Sequence, residues 1–384
     1  MSEASRLHEV HQLEQSIWLD NLSRRLLQSG ALQRLRDQGV TGITSNPTIF
    51  QKAISDSSVY DDGIRRLAAA GRRPDQIMWD LMIEDVTAAA DVLRPAYERS
   101  GGQDGFVSIE VSPEVAHSAA RTVAMVDELR ARCARANVMV KIPATREGLA
   151  AIQQGIGKGA NINVTLIFAV SRYEAVVEAF FAGLEQLART GGDLALVHSV
   201  ASFFVSRVDT KVDALIDARL RDAPPAEAAR LRALRGRVGI ANSKIAYQRF
   251  KELHAGERWN ALARAGARPQ RCLWASTSVK DPRYPDTMYV DNLIGPGTID
   301  TLPETTLEAF IDHGEVRRTL DADPDQARQQ LDELARLGLD LARVTGELED
   351  EGVRAFHQSY EDLLHVVSQT ASQTAGASGA SPQS

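Results

Sequence analysis

Short apolar runs alternate along most of this chain with longer stretches in which apolar residues recur every three or four positions. Eight of the short runs read as strands, because they are brief, rich in β-branched residues and bounded by Gly, Pro or Asn. They are SIWLD (16–20), GVTGITS (39–45), GFVSIEV (105–111), VMVKIPA (138–144), NVTLIF (163–168), ALVHSVASF (195–203), CLWAST (272–277) and TMYVDNLI (287–294). The segments between them have helical period. YEAVVEAFFAGLEQLARTG is apolar at 176, 177, 180, 181, 184 and 187 and closes on Gly191-Gly192, and RTVAMVDELRARCARAN follows the same rule.

Strand–helix alternation predicts parallel strands joined by helical crossovers. Eight such units predict a (β/α)8 barrel, of the TIM type, with a doubly wound open sheet as the alternative that alternation alone leaves standing. The longest links follow the second and sixth strands, at 46–104 and 204–271, and should hold extra helices. No linker rich in Pro, Gly or Ser breaks residues 1–367, so one barrel domain is expected there. The end, SQTASQTAGASGASPQS (368–384), has almost no charge or apolar bulk and is expected to be a disordered tail.

Polar residues recur at the C-terminal ends of the predicted strands. Asp20 ends the first, and Thr44, Ser45 and Asn46 end the second. Glu110 lies near the end of the third, and Lys141 and Thr145 belong to the fourth. Asn163 and Thr165 are in the fifth, Ser202 and then Arg207 follow the sixth, and Ser276, Ser278 and Lys280 follow the seventh. In a barrel these ends converge on one mouth, where active sites lie, so the clustering favours the barrel over the open sheet.

Lys141 sits between Val138, Met139, Val140 and Ile142, Pro143. Burial disfavours an ammonium ion, and a neutral amine can attack a carbonyl carbon to form a Schiff base. The plainer alternative is a stem packed on apolar neighbours with its head in solvent. Composition bears on the choice: the chain has only seven lysines among 44 basic residues, so where a plain charge suffices it nearly always uses arginine. The flanking Val140, Ile142 and Pro143 are expected to supply a dry wall. Asp20 and Glu110 are acids in otherwise apolar strands and could divide proton work around such an amine, although Asp20 could equally cap the next helix. Arg207 opens SRVDTKVDALIDARL and could clasp a phosphate or pair with Asp209 or Asp213; Ser276 and Lys280 could close the clasp.

The bulk numbers exclude several classes. Apolar residues make up 43% and charged residues 25%, as in ordinary globular proteins. A net charge of −7 with scattered basic residues argues against nucleic acid. Cys133 and Cys272 lie far apart and outside any CxxC pattern, so neither a disulfide framework nor a zinc site is expected. The first residues, MSEASRLHEV, lack the features of a signal peptide, and no apolar run approaches a membrane span, so the expected compartment is the cytoplasm. GIGKG (155–159) precedes a strand and lacks phosphate-loop spacing, HEVH (8–11) is not HExxH, and neither GxSxG nor GxGxxG occurs.

The stretches GITSNPTIF, VSIEVSP, VMVKIPATREGLAAI, GANINVTLIF, SVASFFVSRVDTKVD and LWASTSVKDPRYPDTMYVDNLIGPGTIDTLPETTLEAF, spanning about 15–312, resemble the transaldolase family, and most of all its longer bacterial branch. The resemblance implies a (β/α)8 barrel without metal or organic cofactor, acting on sugar phosphates as a monomer or homodimer. It implies that Lys141 forms a Schiff base with the C2 carbonyl of a ketose phosphate. Asp20 then takes the C4 hydroxyl proton, and Glu110 with Thr165 holds a water that serves imine formation. Asn46, Asn163 and Ser202 match residues that hold the dihydroxyacetone hydroxyls, with Thr44 beside them, and Arg207 matches a phosphate-binding arginine. Shorter members carry ASFR after the seventh strand; here ASTSVK places Ser278 where their second phosphate arginine falls, with Lys280 two residues on. The implied reaction moves a dihydroxyacetone unit from sedoheptulose 7-phosphate to glyceraldehyde 3-phosphate. The rival readings are an aldolase that releases free dihydroxyacetone, whose chains are much shorter, and a non-catalytic sugar-phosphate-binding barrel.

Overall fold

A computed structural model describes residues 5–378. Eight parallel strands close into a barrel in chain order: β1 (Gln15–Leu19), β2 (Val40–Ile43), β3 (Val107–Glu110), β4 (Val138–Pro143), β5 (Ile162–Ile167), β6 (Ser199–Phe204), β7 (Arg271–Ala275) and β8 (Thr298–Leu302). The (β/α)8 expectation therefore holds, and the open sheet is excluded by the pairing of β1 with β8. The two longest links hold extra helices, as expected: Pro47–Ser55, Asp61–Ala69 and Pro74–Arg99 after β2, and four helices between Ser206 and Arg264 after β6.

Seven of the expected strands coincide with observed ones, but the eighth does not. TMYVDNLI contains the short helix Met288–Asn292, and the last strand is TIDTL, which starts eleven residues later than expected. TMYVDNLI is rich in β-branched and apolar residues, yet Tyr289, Val290, Leu293 and Ile294 pack inward as one face of a turn. TIDTL hides because it alternates: Ile299 fills the barrel interior, while Asp300 is buried on the outer side with Thr277 Oγ1 donating to it at 2.8 Å.

Alternation of side chains along each strand sorts residues into two layers. Val140, Ile142, Ile109 and Val164 join the core between strands and helices. Trp18, Phe106, Met139, Val200, Leu273 and Ile299 fill the barrel's own interior. Gly42 makes room for this filling: a Cβ there would stand 2.3 Å from the Trp18 indole. Trp18 in turn donates from Nε1 to Asp104 at 2.8 Å, which ties down the lower end. The interior is thus plugged below, and only its upper, C-terminal end is open for chemistry.

The last described element is a 38-residue helix, Leu341–Ser378. It crosses the barrel mouth and packs against helices 47–55, 61–69 and 74–99. Leu363 and Val367 are fully buried on its inner face. The tail anticipated from 368 falls on the end of this helix as far as Ser378, and residues 379–384 lie outside those described. None of the described helices is long and apolar enough to cross a membrane.

Candidate active site

A cavity of about 370 Å³ opens at the C-terminal ends of the strands, within the range of small-ligand sites. Asp20, Thr44, Asn46, Glu110, Lys141, Thr165, Ser202, Arg207, Ser276 and Lys280 all line it. Strand register explains the convergence. Glu110 on β3 stands beside Lys141 on β4, and Lys141 stands beside Asn163 on β5. Each is at an inward position of its strand.

Lys141 is not a snorkelling residue. Its side chain is 8% exposed, and Nζ lies 3.5 Å from Glu110 Oε2 and 3.5 Å from the Ser45 carbonyl oxygen. Val140 and Ile142 are not its dry wall, since their side chains leave the barrel and pack on helices. The apolar wall comes instead from Leu166, Phe204, Ala275 and Phe356. Burial raises the Glu110 carboxyl above the ordinary range, with the Lys141 ammonium pulling it back.

Asp20 caps no helix: the N-cap of the helix Arg24–Gln28 is Ser23. Its carboxylate instead accepts the Thr44 hydroxyl at 2.7 Å, and Thr44 Oγ1 is also 2.7 Å from Thr301 Oγ1. Burial raises the Asp20 carboxyl too, and the charge of Lys141, the Thr44 hydrogen bond, Arg207 and Lys280 oppose the rise in that order. The pair thus gives two acids whose protons are held more tightly than usual, around one amine.

Asn163 lies beneath the cavity rather than on its wall. It is fully buried, donates to Ser108 Oγ at 3.0 Å and accepts from Ser202 Oγ at 2.7 Å, so it positions Ser202. Asn46 lines the cavity but spends its side-chain oxygen on the Ile49 N–H at 3.0 Å, capping the helix Pro47–Ser55. Thr165 Oγ1 is buried without a protein partner among the described residues. Thr145 is the N-cap of the helix Arg146–Gly157 and does not line the cavity.

Arg207 pairs with neither Asp209 nor Asp213. Asp209 accepts the Gly239 N–H, Asp213 accepts the Gly236 N–H and the Tyr284 hydroxyl, and the Arg207 guanidinium lies 5.1 Å over the Phe204 ring at the cavity rim. Beyond the adjacent strand β7, Lys280 Nζ donates to Ser278 Oγ at 2.7 Å, and both residues line the cavity. Ser276 sits at φ 56° and Leu166 at φ 60°, in the left-handed region that non-glycine residues seldom adopt. Both strained residues face the cavity, where such conformations tend to gather.

Several lining residues escape sequence reasoning. Thr301 belongs to β8, whose sequence does not read as a strand. Thr48 and Lys52 lie on the helix after β2, with Lys52 one turn beyond Thr48 on the same face. Gly352, Ala355, Phe356 and Ser359 come from the terminal helix. Gly352 permits a close approach, since a Cβ there would come within 3.0 Å of Leu166. Ser359 Oγ accepts the Thr48 hydroxyl at 2.6 Å, tying the terminal helix to the rim. No local signal marks the four residues of the terminal helix, because they reach the site from more than 200 positions beyond Lys141. Among the described residues no group of His, Cys, Asp and Glu could hold a metal.

A family model described as transaldolase/fructose-6-phosphate aldolase matches residues 17–367. A transaldolase of Thermobifida fusca is 48% identical over 367 residues, covering 95% of this chain and 98% of that protein. One of Saccharopolyspora erythraea is 47% identical, covering 96% and 98%, and one of Frankia alni is 46% identical, covering 94% and 96%.

Proposed function

The chain belongs to the transaldolase/fructose-6-phosphate aldolase family, and on that premise we propose that it is a transaldolase of the non-oxidative pentose phosphate pathway. It moves a dihydroxyacetone unit from sedoheptulose 7-phosphate to glyceraldehyde 3-phosphate, giving erythrose 4-phosphate and fructose 6-phosphate. One observation carries the reading: a buried amine, Lys141, shares one cavity with two acids, Asp20 and Glu110, which a mere binding site has no need to bury together.

In this reading Lys141 Nζ adds to the C2 carbonyl of the ketose, and loss of water leaves an iminium ion. Glu110, 3.5 Å from the amine and raised above the ordinary carboxyl range by burial, is the acid for that loss, and the unpartnered Thr165 hydroxyl orients the water. Asp20, as carboxylate, takes the C4 hydroxyl proton; the C3–C4 bond breaks, the aldose leaves, and its electron pair passes to the iminium as an enamine. The apolar wall of Leu166, Phe204 and Phe356 keeps water from protonating that enamine. An incoming aldose aldehyde captures it, Asp20 returns the proton, and hydrolysis of the imine frees the ketose. Ser202, positioned by Asn163, and Asn46 hold the substrate hydroxyls. Arg207, Lys280 and Ser276 receive the phosphate.

Borohydride reduction in the presence of fructose 6-phosphate tests the reading. A three-carbon adduct on Lys141 is expected; no adduct, or one elsewhere, overturns it. Assaying free dihydroxyacetone alongside transfer separates a transferase from an aldolase, and transfer should dominate.

A further inference from the structure

We propose that Lys211 is a positioning residue for phosphate recognition: it holds Glu351 of the terminal helix away from Arg207, so that the guanidinium stays open to an incoming anion. The inference rests on the reading of Arg207 as a phosphate ligand given above. Arg207 and Lys211 stand four residues apart on one face of the helix Ser206–Leu220. Against that face the terminal helix sets Glu347 and Glu351, also four apart. Lys211 Nζ takes both, at 2.9 Å from Glu347 Oε2 and 2.5 Å from Glu351 Oε1. Arg207 has no ion-pair partner among the described residues, although the charge of Asp20 and, after it, of Glu351 reaches it.

The chemistry of the two anions makes this arrangement consequential. A carboxylate presents the guanidinium with the same forked pair of acceptors as a phosphate does. Glu351 is tethered beside Arg207, so it competes as an intramolecular ligand at high effective concentration. Lys211 removes that competitor by engaging it. Glu351 adjoins Gly352, which lines the cavity, whereas Glu347 lies a turn farther from the mouth. The two acids therefore differ in reach toward Arg207 although both pair with Lys211.

The test is steady-state kinetics at low ionic strength with fructose 6-phosphate, together with competitive inhibition by inorganic phosphate. Lys211→Met should raise both KM and the phosphate inhibition constant about fivefold, the scale of a partly exposed ion pair. Raising the salt should shrink the difference. Lys211→Met/Glu351→Gln should return to the parent values, Lys211→Met/Glu347→Gln should not, and Glu351→Gln alone should stay near the parent. A Lys211→Met enzyme with parental constants overturns the proposal. So does rescue by both second substitutions alike, or by neither, because a general loss of positive charge or of helix docking would act in those ways. A parent enzyme with no preference for fructose 6-phosphate over fructose and no phosphate inhibition would instead remove Arg207 from phosphate binding, and Lys211 with it. A retained preference with unchanged Lys211→Met removes Lys211 alone.

Discussion

Lys141 Nζ stands 3.5 Å from Glu110 Oε2, with neither side chain more than a tenth exposed. The two are register partners on adjacent parallel strands. Replacing the amine leaves Glu110 as a buried acid that burial pushes toward its neutral form, so it can take up a proton rather than stay as an unpaired charge, and the fold should survive the loss. Lys141→Met is expected to lose the borohydride adduct and at least about a hundredfold in turnover. Its circular dichroism should match the parent. Persistent adduct formation would mean that another amine does the chemistry.

Asp20 and Thr44 give a pH prediction. The Thr44 hydroxyl donates to the Asp20 carboxylate at 2.7 Å and so favours its charged form. Removing that donor raises the Asp20 carboxyl further, and a base must be deprotonated to act. Thr44→Val should therefore move the acid limb of the kcat/KM profile to higher pH and leave the alkaline limb in place. An unmoved acid limb would show that Asp20 does not control it.

Lys52 offers a test of the rim. It lines the cavity from the helix after β2, and no acid pairs with it among the described residues. Lys52→Met should raise KM for fructose 6-phosphate several-fold, and Arg207→Ala more strongly, about tenfold or above. The discrimination between fructose 6-phosphate and fructose should fall in both variants. Equal losses with the two sugars would place these cations outside phosphate binding.

Stability in acid should report two buried imidazoles. His254 packs among Phe181, Phe250 and Trp259, and His198 against Phe106; burial lowers each to about 4. The unfolded chain binds protons near 6.5 that the folded protein refuses, so their contribution is full above about 6.5 and lost as pH falls toward about 4. The loss is on the order of 3 kcal/mol for each group. His254→Leu should flatten the fall of Tm between those limits relative to the parent. Asp209, raised to about 7 by burial, works in the opposite direction, since its protonated form stabilises at low pH and that contribution fades as pH rises through about 7. Asp209→Asn should then steepen the acid loss; parallel Tm curves for parent and variant would remove Asp209 from the balance.

Much of this was legible in the chain. Seven strands, the closed barrel they imply and the polar set Asp20, Glu110, Lys141, Thr165 and Arg207 follow from local pattern, because side-chain alternation and strand ends are properties of a few neighbouring residues. Local pattern misled at TMYVDNLI, where β-branched residues form one face of a turn, and at Val140 and Ile142, whose position beside Lys141 in sequence places them on the opposite side of the sheet.

What the sequence by itself determined is therefore the kind of chemistry and the end of the barrel that holds it. Only the tertiary structure decided which residues share the cavity. Asn163 sinks below it as a support, Lys52 enters from the rim, and Phe356 and Ser359 arrive on a helix that begins about 200 residues after Lys141. The reason is physical. A strand's inward face repeats every two residues and can be read along the chain, whereas the docking of a terminal helix depends on burying Leu363 and Val367 against distant helices. That burial, together with the Lys211, Arg172 and Thr48 contacts that hold the helix in place, has no signature within any short stretch of sequence.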